Sequence, residues 1–108
     1  MKRRKKRSEI WETTMKTVIT LTEVTQSELF SNSKKADVTQ ARGLLFITLS
    51  NQGLRPATIM RLCQNNGWES IVHSTITKHI ERAKKKIKED DEFIEFLKDI
   101  KDNLGAIA

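Results

Sequence analysis

His73, Ser74 and Thr75 stand together in the chain, and Lys78, Arg82 and Lys85 follow them at steps of three and four. Short polar side chains at the start of a helix can donate to and accept from base edges, while basic residues farther along meet phosphates. The other reactive residues organise no bond-making chemistry. His73 and His79 are six apart, on different faces of one helix, and neither Cys63 nor the acids add metal-ligand spacing. Four scattered glycines form no phosphate-binding loop, and no nucleophile has an evident base. The pattern predicts a chain that is not an enzyme and needs no metal or cofactor. Cys63, between Leu62 and Gln64, reads as a small core residue. As the single cysteine it excludes an internal disulfide and fits a reducing cytoplasm. His79 reads as a partly buried structural histidine, and Trp68 as a ring packed on the core in preference to one stacked on nucleic acid.

The net charge of +6 is unevenly placed. Lys2, Arg3, Arg4, Lys5, Lys6 and Arg7 form a basic arm without an acid. Residues 8–33 hold one base and four acids, residues 34–88 eleven bases and three acids, and residues 89–108 two bases and seven acids. A basic arm and a basic middle between acidic stretches suit a polyanion partner. A solubilising tail and a solvated helix face fit the same numbers, so charge alone leaves both readings open. No apolar run approaches the roughly 20 residues that span a bilayer, and Ser8-Glu9-Ile10-Trp11-Glu12 is too polar for a signal core. No membrane association is expected.

These residues need helices to position them. With 108 residues the chain can bury one core. The expectation is an all-α bundle of about five to six helices over residues 8–108, preceded by a disordered arm over 1–7. Ser8 is placed to cap a first helix on which Trp11, Met15, Val18 and Thr22 recur with helical spacing, although its threonines lower helix propensity. A short helical piece spans Gln26 to Phe30, and Ser31-Asn32-Ser33-Lys34-Lys35 reads as a basic loop. Asp37 is expected to cap a central helix from Val38 to Asn51, apolar nearly all round at Leu44-Leu45-Phe46-Ile47 and ending at Gly53. Arg55-Pro56 opens another helix, with Ile59, Leu62 and Cys63 inside, which Asn65-Asn66-Gly67 stops. Trp68 to Val72 form a loop. From His73 the pattern is clearest: Ile76, Ile80, Ala83 and Ile87 make one buried stripe, with Ser74, Lys78, Arg82 and Lys85 opposite. A last helix, about Asp91 to Leu104, buries Phe93, Leu97, Ile100 and Leu104, with acids at its N-terminus.

Two helices joined by a turn, Arg55–Asn65 and His73–Lys88, are the skeleton of a helix-turn-helix. Periodicity by itself favours a plain amphipathic helix with a charged outer face. The order of parts adds a resemblance. From about Glu9 to Leu104 the chain resembles the C-terminal DNA-binding domain of DnaA, the bacterial replication initiator, whose helix-turn-helix is TrpR-like. The pieces that carry it are Ser27-Glu28-Leu29-Phe30, the stretch Lys34-Lys35-Ala36-Asp37-Val38-Thr39-Gln40-Ala41-Arg42, then Val72-His73-Ser74-Thr75-Ile76, and the ending Lys88-Glu89-Asp90-Asp91.

The resemblance implies sequence-specific binding of double-stranded DNA in replication or transcription control. The setting would be a bacterial cytoplasm, near the nucleoid or encoded by a phage or mobile element. It assigns base contacts to His73, Ser74 and Thr75. Backbone contacts fall to Lys78 and Arg82 on the same helix and to Gln40 and Arg42 in the loop-to-helix motif. Lys34, Lys35, Arg55 and Lys85 complete the expected backbone contacts, and the basic arm adds a salt-sensitive hold on phosphates or a minor groove. The chain departs from the family at three places. Gln40 stands where the family has an arginine for the minor groove, and Val72 where it has an aspartate that accepts from cytosine. The turn from Gln64 to Val72 is about five residues longer than the family's. A different target is therefore expected, and without the ATPase domain the chain is not expected to be an initiator alone. The competing reading is a protein-interaction module, a competitor or partner of an initiator, or a homodimer formed through Phe93 and Phe96. RNA binding is a weaker third, for want of an exposed aromatic platform.

Overall fold

The computed structural model describes residues 6–105, among which there are six helices and no strand. Helix α1 spans Arg7–Thr22, α2 Gln26–Leu29, α3 Ala36–Asn51, α4 Pro56–Asn65, α5 His73–Glu89 and α6 Asp91–Gly105. The expected all-α bundle is what the chain forms. The arm residues Lys2 to Lys5 lie outside the described residues, whereas Lys6 is the N-cap of α1 and Arg7 its first residue. Ser8 is thus already inside the helix and caps nothing. Three of the five threonines of α1 donate to the preceding turn, Thr17 to Thr13 O at 2.7 Å, Thr20 to Lys16 O at 2.9 Å and Thr22 to Val18 O at 2.6 Å, whereas the Thr14 hydroxyl is buried without a partner among the described residues. Thr25 caps α2, its hydroxyl accepting from the Glu28 N–H at 3.1 Å and donating to the Glu28 carboxylate at 3.1 Å.

The centre of the bundle is α3, which packs on each of the other five helices. Its residues from Ala41 to Leu49 are all buried, as a helix apolar on every side requires. Its N-cap is Lys35, without a side-chain bond, so Asp37 sits one position inside the first turn and accepts instead from the adjacent Val38 N–H at 2.9 Å. The two central turns are built alike. Gly53 (φ 93°) and Gly67 (φ 107°) follow the C-caps of α3 and α4 in the left-handed region that glycine tolerates. Leu54 N–H then reaches Leu49 O at 3.0 Å, and Trp68 N–H reaches Cys63 O at 3.0 Å. This is the Schellman ending, and in both cases the residue after the glycine turns its apolar side chain into the core.

Helices α4 and α5 are joined by residues 66–72 and pack on one another, while α5 also lies along α3. On α5, Ile76, Ile80 and Ala83 are buried and Ile87 is half-buried, as the stripe predicts. One residue, Asp90, separates α5 from α6, and its carboxylate caps α6 by accepting from Phe93 N–H at 3.2 Å. Phe93, Leu97, Ile100 and Leu104 are buried as expected. Phe93 is fully enclosed, at 0% exposure, and Phe96 is half-buried. The pair therefore offers no apolar strip for dimerisation. The exposed large hydrophobic residues, among those described, are Val72 and Ile94. Among the described residues no helix is long and apolar enough to cross a membrane.

Candidate nucleic-acid interface

Local helix geometry decides which side chains of α5 meet. At 100° per residue Thr75, Lys78, Arg82 and Lys86 fall on one side of the helix, displaced from the buried isoleucines. That side faces the loop before α3 and the first turn of α3. Between them lies an open cleft of about 780 Å³, lined by Asn32, Ser33, Lys34, Ala36 and Thr39 on one wall and by Thr75, Lys78, Arg82 and Lys86 on the other. Trp68, His79 and Arg42, all buried, also reach it. Among the described residues no aspartate or glutamate lines the cleft. Among the described residues the ion pairs are Lys16–Glu12 and Lys35–Glu28, so Lys34, Lys78, Arg82 and Lys86 have no carboxylate partner.

Of the residues expected to touch DNA, the structure brings Lys34, Thr75, Lys78 and Arg82 to this cleft, with Arg42 buried at its base. His73 and Ser74 are exposed at the start of α5, beyond the cleft, and Lys85 is exposed on the outer side of the same helix. Lys35 is exposed at the N-cap of α3, 4.0 Å from Glu28. Gln40 is half-buried in a narrow crevice beside Gly43, Arg82, Lys86 and Phe93. Arg55 is exposed at the N-cap of α4 and does not line the cleft. Lys86 was not expected and belongs to the site. Its signal was in the spacing, since Thr75, His79, Arg82 and Lys86 recur at steps of four, three and four.

Arg42 is a correction. It is 3% exposed, and its guanidinium donates to four backbone carbonyls: Leu29 O at 2.9 Å, Glu28 O at 3.1 Å, and Ser31 O and Ser33 O. Those carbonyls belong to the end of α2 and the basic loop, where no regular structure would satisfy them. Arg42 also lies 4.5 Å from the centroid of the Trp68 ring. The residue therefore holds the loop together from inside and does not present its charge to a backbone phosphate. Burial draws its pKa below the ordinary arginine value, partly offset by Cys63.

The same hub fixes the turn between α4 and α5. Trp68 packs on the core as expected, and its Nε1–H donates to Asn32 Oδ1 at 2.9 Å, an atom that also accepts from Ser70 Oγ at 3.2 Å. The basic loop and the turn ahead of α5 are thereby tied to one another. His79 packs edge-on against Phe46, ring centroids 5.6 Å apart. Desolvation, then the charges of Arg42 and Arg82, push its pKa down to about 4, so it is neutral and adds nothing to the cationic wall. Cys63 is fully buried, and burial pushes its thiol up to about 12, which makes it a packed core residue and no nucleophile. Among the described residues no group of histidine, cysteine and acidic side chains could hold a metal ion.

Trp11 stacks on Phe30, centroids 5.5 Å apart. Phe30 precedes the basic loop directly, and Arg7 lies one helical turn, ~6 Å along the axis, before Trp11. No protein-family model, curated protein or solved structure matches the chain.

Proposed function

We propose that this chain binds double-stranded DNA, with α4 and α5 as a helix-turn-helix and α5 as the helix that enters the major groove. The observation that carries the reading is the outer face of α5. It runs from exposed Ser74 into Lys78, Arg82 and Lys85, none of which has a carboxylate partner among the described residues, and His73 is exposed beside it at the first residue of the helix. Polar groups at the N-terminal end of such a helix meet base edges, and cations one to three turns on neutralise phosphates. The order of parts that resembles the DnaA C-terminal domain supports the same reading and a role in replication or transcription control, in the cytoplasm of a bacterium or under a mobile element. Val72, exposed at the N-cap of α5, offers a methyl-bearing surface where that family offers an acceptor, so the preferred site differs.

The test is selection of bound sequences from random duplex at low salt, repeated with His73→Ala and Thr75→Ala. The reading expects a short enriched motif that either substitution degrades. An unchanged motif rejects α5 as the reading helix, and no duplex binding at low salt rejects DNA as the partner.

A further inference from the structure

We infer that the cleft between the basic loop and α5 is a binding site for a chain of linked phosphates. In the DNA reading, on which this assignment of the occupant rests, that chain is the sugar-phosphate backbone. A free polyphosphate presents the same anionic phosphate oxygens, joined as anhydrides and more closely spaced.

Charge is the first argument. Lys34 on one wall and Lys78, Arg82 and Lys86 on the other line one space, with buried Arg42 behind it and the Lys86 ammonium 5.6 Å from the centroid of the Phe93 ring, and with no lining acid and no ion pair to these lysines or to Arg82 among the described residues. Like charges gathered this way repel, and an anion between them removes the repulsion. Size is the second. At about 780 Å³ the cleft lies in the range of built ligand sites and far exceeds what one phosphate fills. The neutral lining is the third. Thr39 and Thr75 stand on opposite walls. Asn32 accepts through Oδ1 from Trp68 and Ser70, which fixes its amide and leaves the –NH2 donor end unengaged. Rigidity is the fourth. Four bonds from Arg42 hold the loop wall in place, so the site exists before its ligand arrives.

Tripolyphosphate is the probe, titrated at fixed ionic strength into the full chain by calorimetry. In parallel, a Trp11→Phe variant, in which Trp68 is the remaining tryptophan at the cleft, reports by fluorescence. Saturable binding is expected, weakened about fivefold or more by Lys34→Ala and by Lys86→Ala, and less than twofold by the charge-matched control Lys101→Ala on α6. Absence of saturable binding to the unaltered chain overturns the inference, as does equal weakening by Lys101→Ala. A generic duplex titrated at low salt separates the two proposals. Duplex binding without tripolyphosphate binding leaves the DNA reading standing and removes the cleft. Tripolyphosphate binding that depends on Lys34 and Lys86, without duplex binding, keeps the cleft as a free-polyphosphate site and removes the DNA reading.

Discussion

Replacing Arg42 separates a structural cation from a DNA-contacting one. Arg42→Met keeps the aliphatic stem and deletes every donor, stranding the carbonyls of Leu29, Ser31 and Ser33 together with the face of Trp68, while the Glu28 carbonyl keeps the Ser31 hydroxyl at 2.7 Å. A hydrogen bond to a charged group nets about 1.5–3 kcal/mol, which for four bonds is an upper bound well beyond the real effect. Two terms reduce it: Ser31 and Ser33 are half-buried, so their carbonyls regain water, and burying the guanidinium was itself unfavourable. The expected loss is about 3–5 kcal/mol, a large fraction of a small domain's stability. For a domain this size that lowers Tm by roughly 15–20 °C. Arg42→Lys retains the charge but not the planar fork and should fall between. Urea and thermal unfolding followed by far-ultraviolet circular dichroism give the numbers. If Arg42 met a phosphate from the surface, stability would be unchanged and only DNA affinity would drop. A Tm shift below about 3 °C for Arg42→Met would therefore refute the hub.

Acid should destabilise the fold through His79. Its pKa is about 4 when folded and near 6.5 when unfolded, so the unfolded chain takes up a proton that the native state refuses. Stability is complete above about pH 6.5 and is lost as pH falls toward 4, by up to ~3 kcal/mol. Urea midpoints at pH 7.5 and 5 should differ less in His79→Leu than in the parent chain; an equal difference contradicts the assignment. Gly43→Ala should stabilise α3 by ~0.5–1 kcal/mol, because the new methyl would meet Phe93 Cε1 at 3.7 Å and Ala83 Cβ at 3.8 Å, ordinary contact distances. A lowered Tm would show the helix packing there to be tighter than it looks. Deleting residues 2–5, which stops short of α1, should weaken duplex binding and reduce the slope of log affinity against log salt; an unchanged slope denies the arm a share in binding.

Periodicity made α5 and α6 readable because each buries a single stripe: Ile76, Ile80 and Ala83 in one, Phe93, Leu97, Ile100 and Leu104 in the other. Glycine chemistry likewise placed the ends of α3 and α4. Ser8 and Asp37 are good capping residues that nonetheless fall inside their helices, because in both cases the chain enters two residues earlier, at Lys6 and Lys35. Where it enters α3 depends on the loop that Arg42 gathers, a contact between residues 9 to 14 positions apart that no cap rule contains. Arg42 itself was legible in principle. It shares a helix face with Val38, Leu45 and Leu49, all buried, and that neighbourhood outweighs its charge. The cleft was half legible: its α5 wall follows from spacing, but its facing wall requires knowing that the basic loop folds back across α5.

Because α3 touches every other helix, its middle amides, from Leu44 to Leu49, have no partial opening that exposes them while the remainder keeps a core. Their hydrogens should exchange with solvent only when the whole domain unfolds, at a rate that reports the global free energy. The short α2 and the exposed ends of α1 and α6 should exchange far sooner. The domain is then a single cooperative unit, and the surface carried by α5 rests on the part of it that opens last.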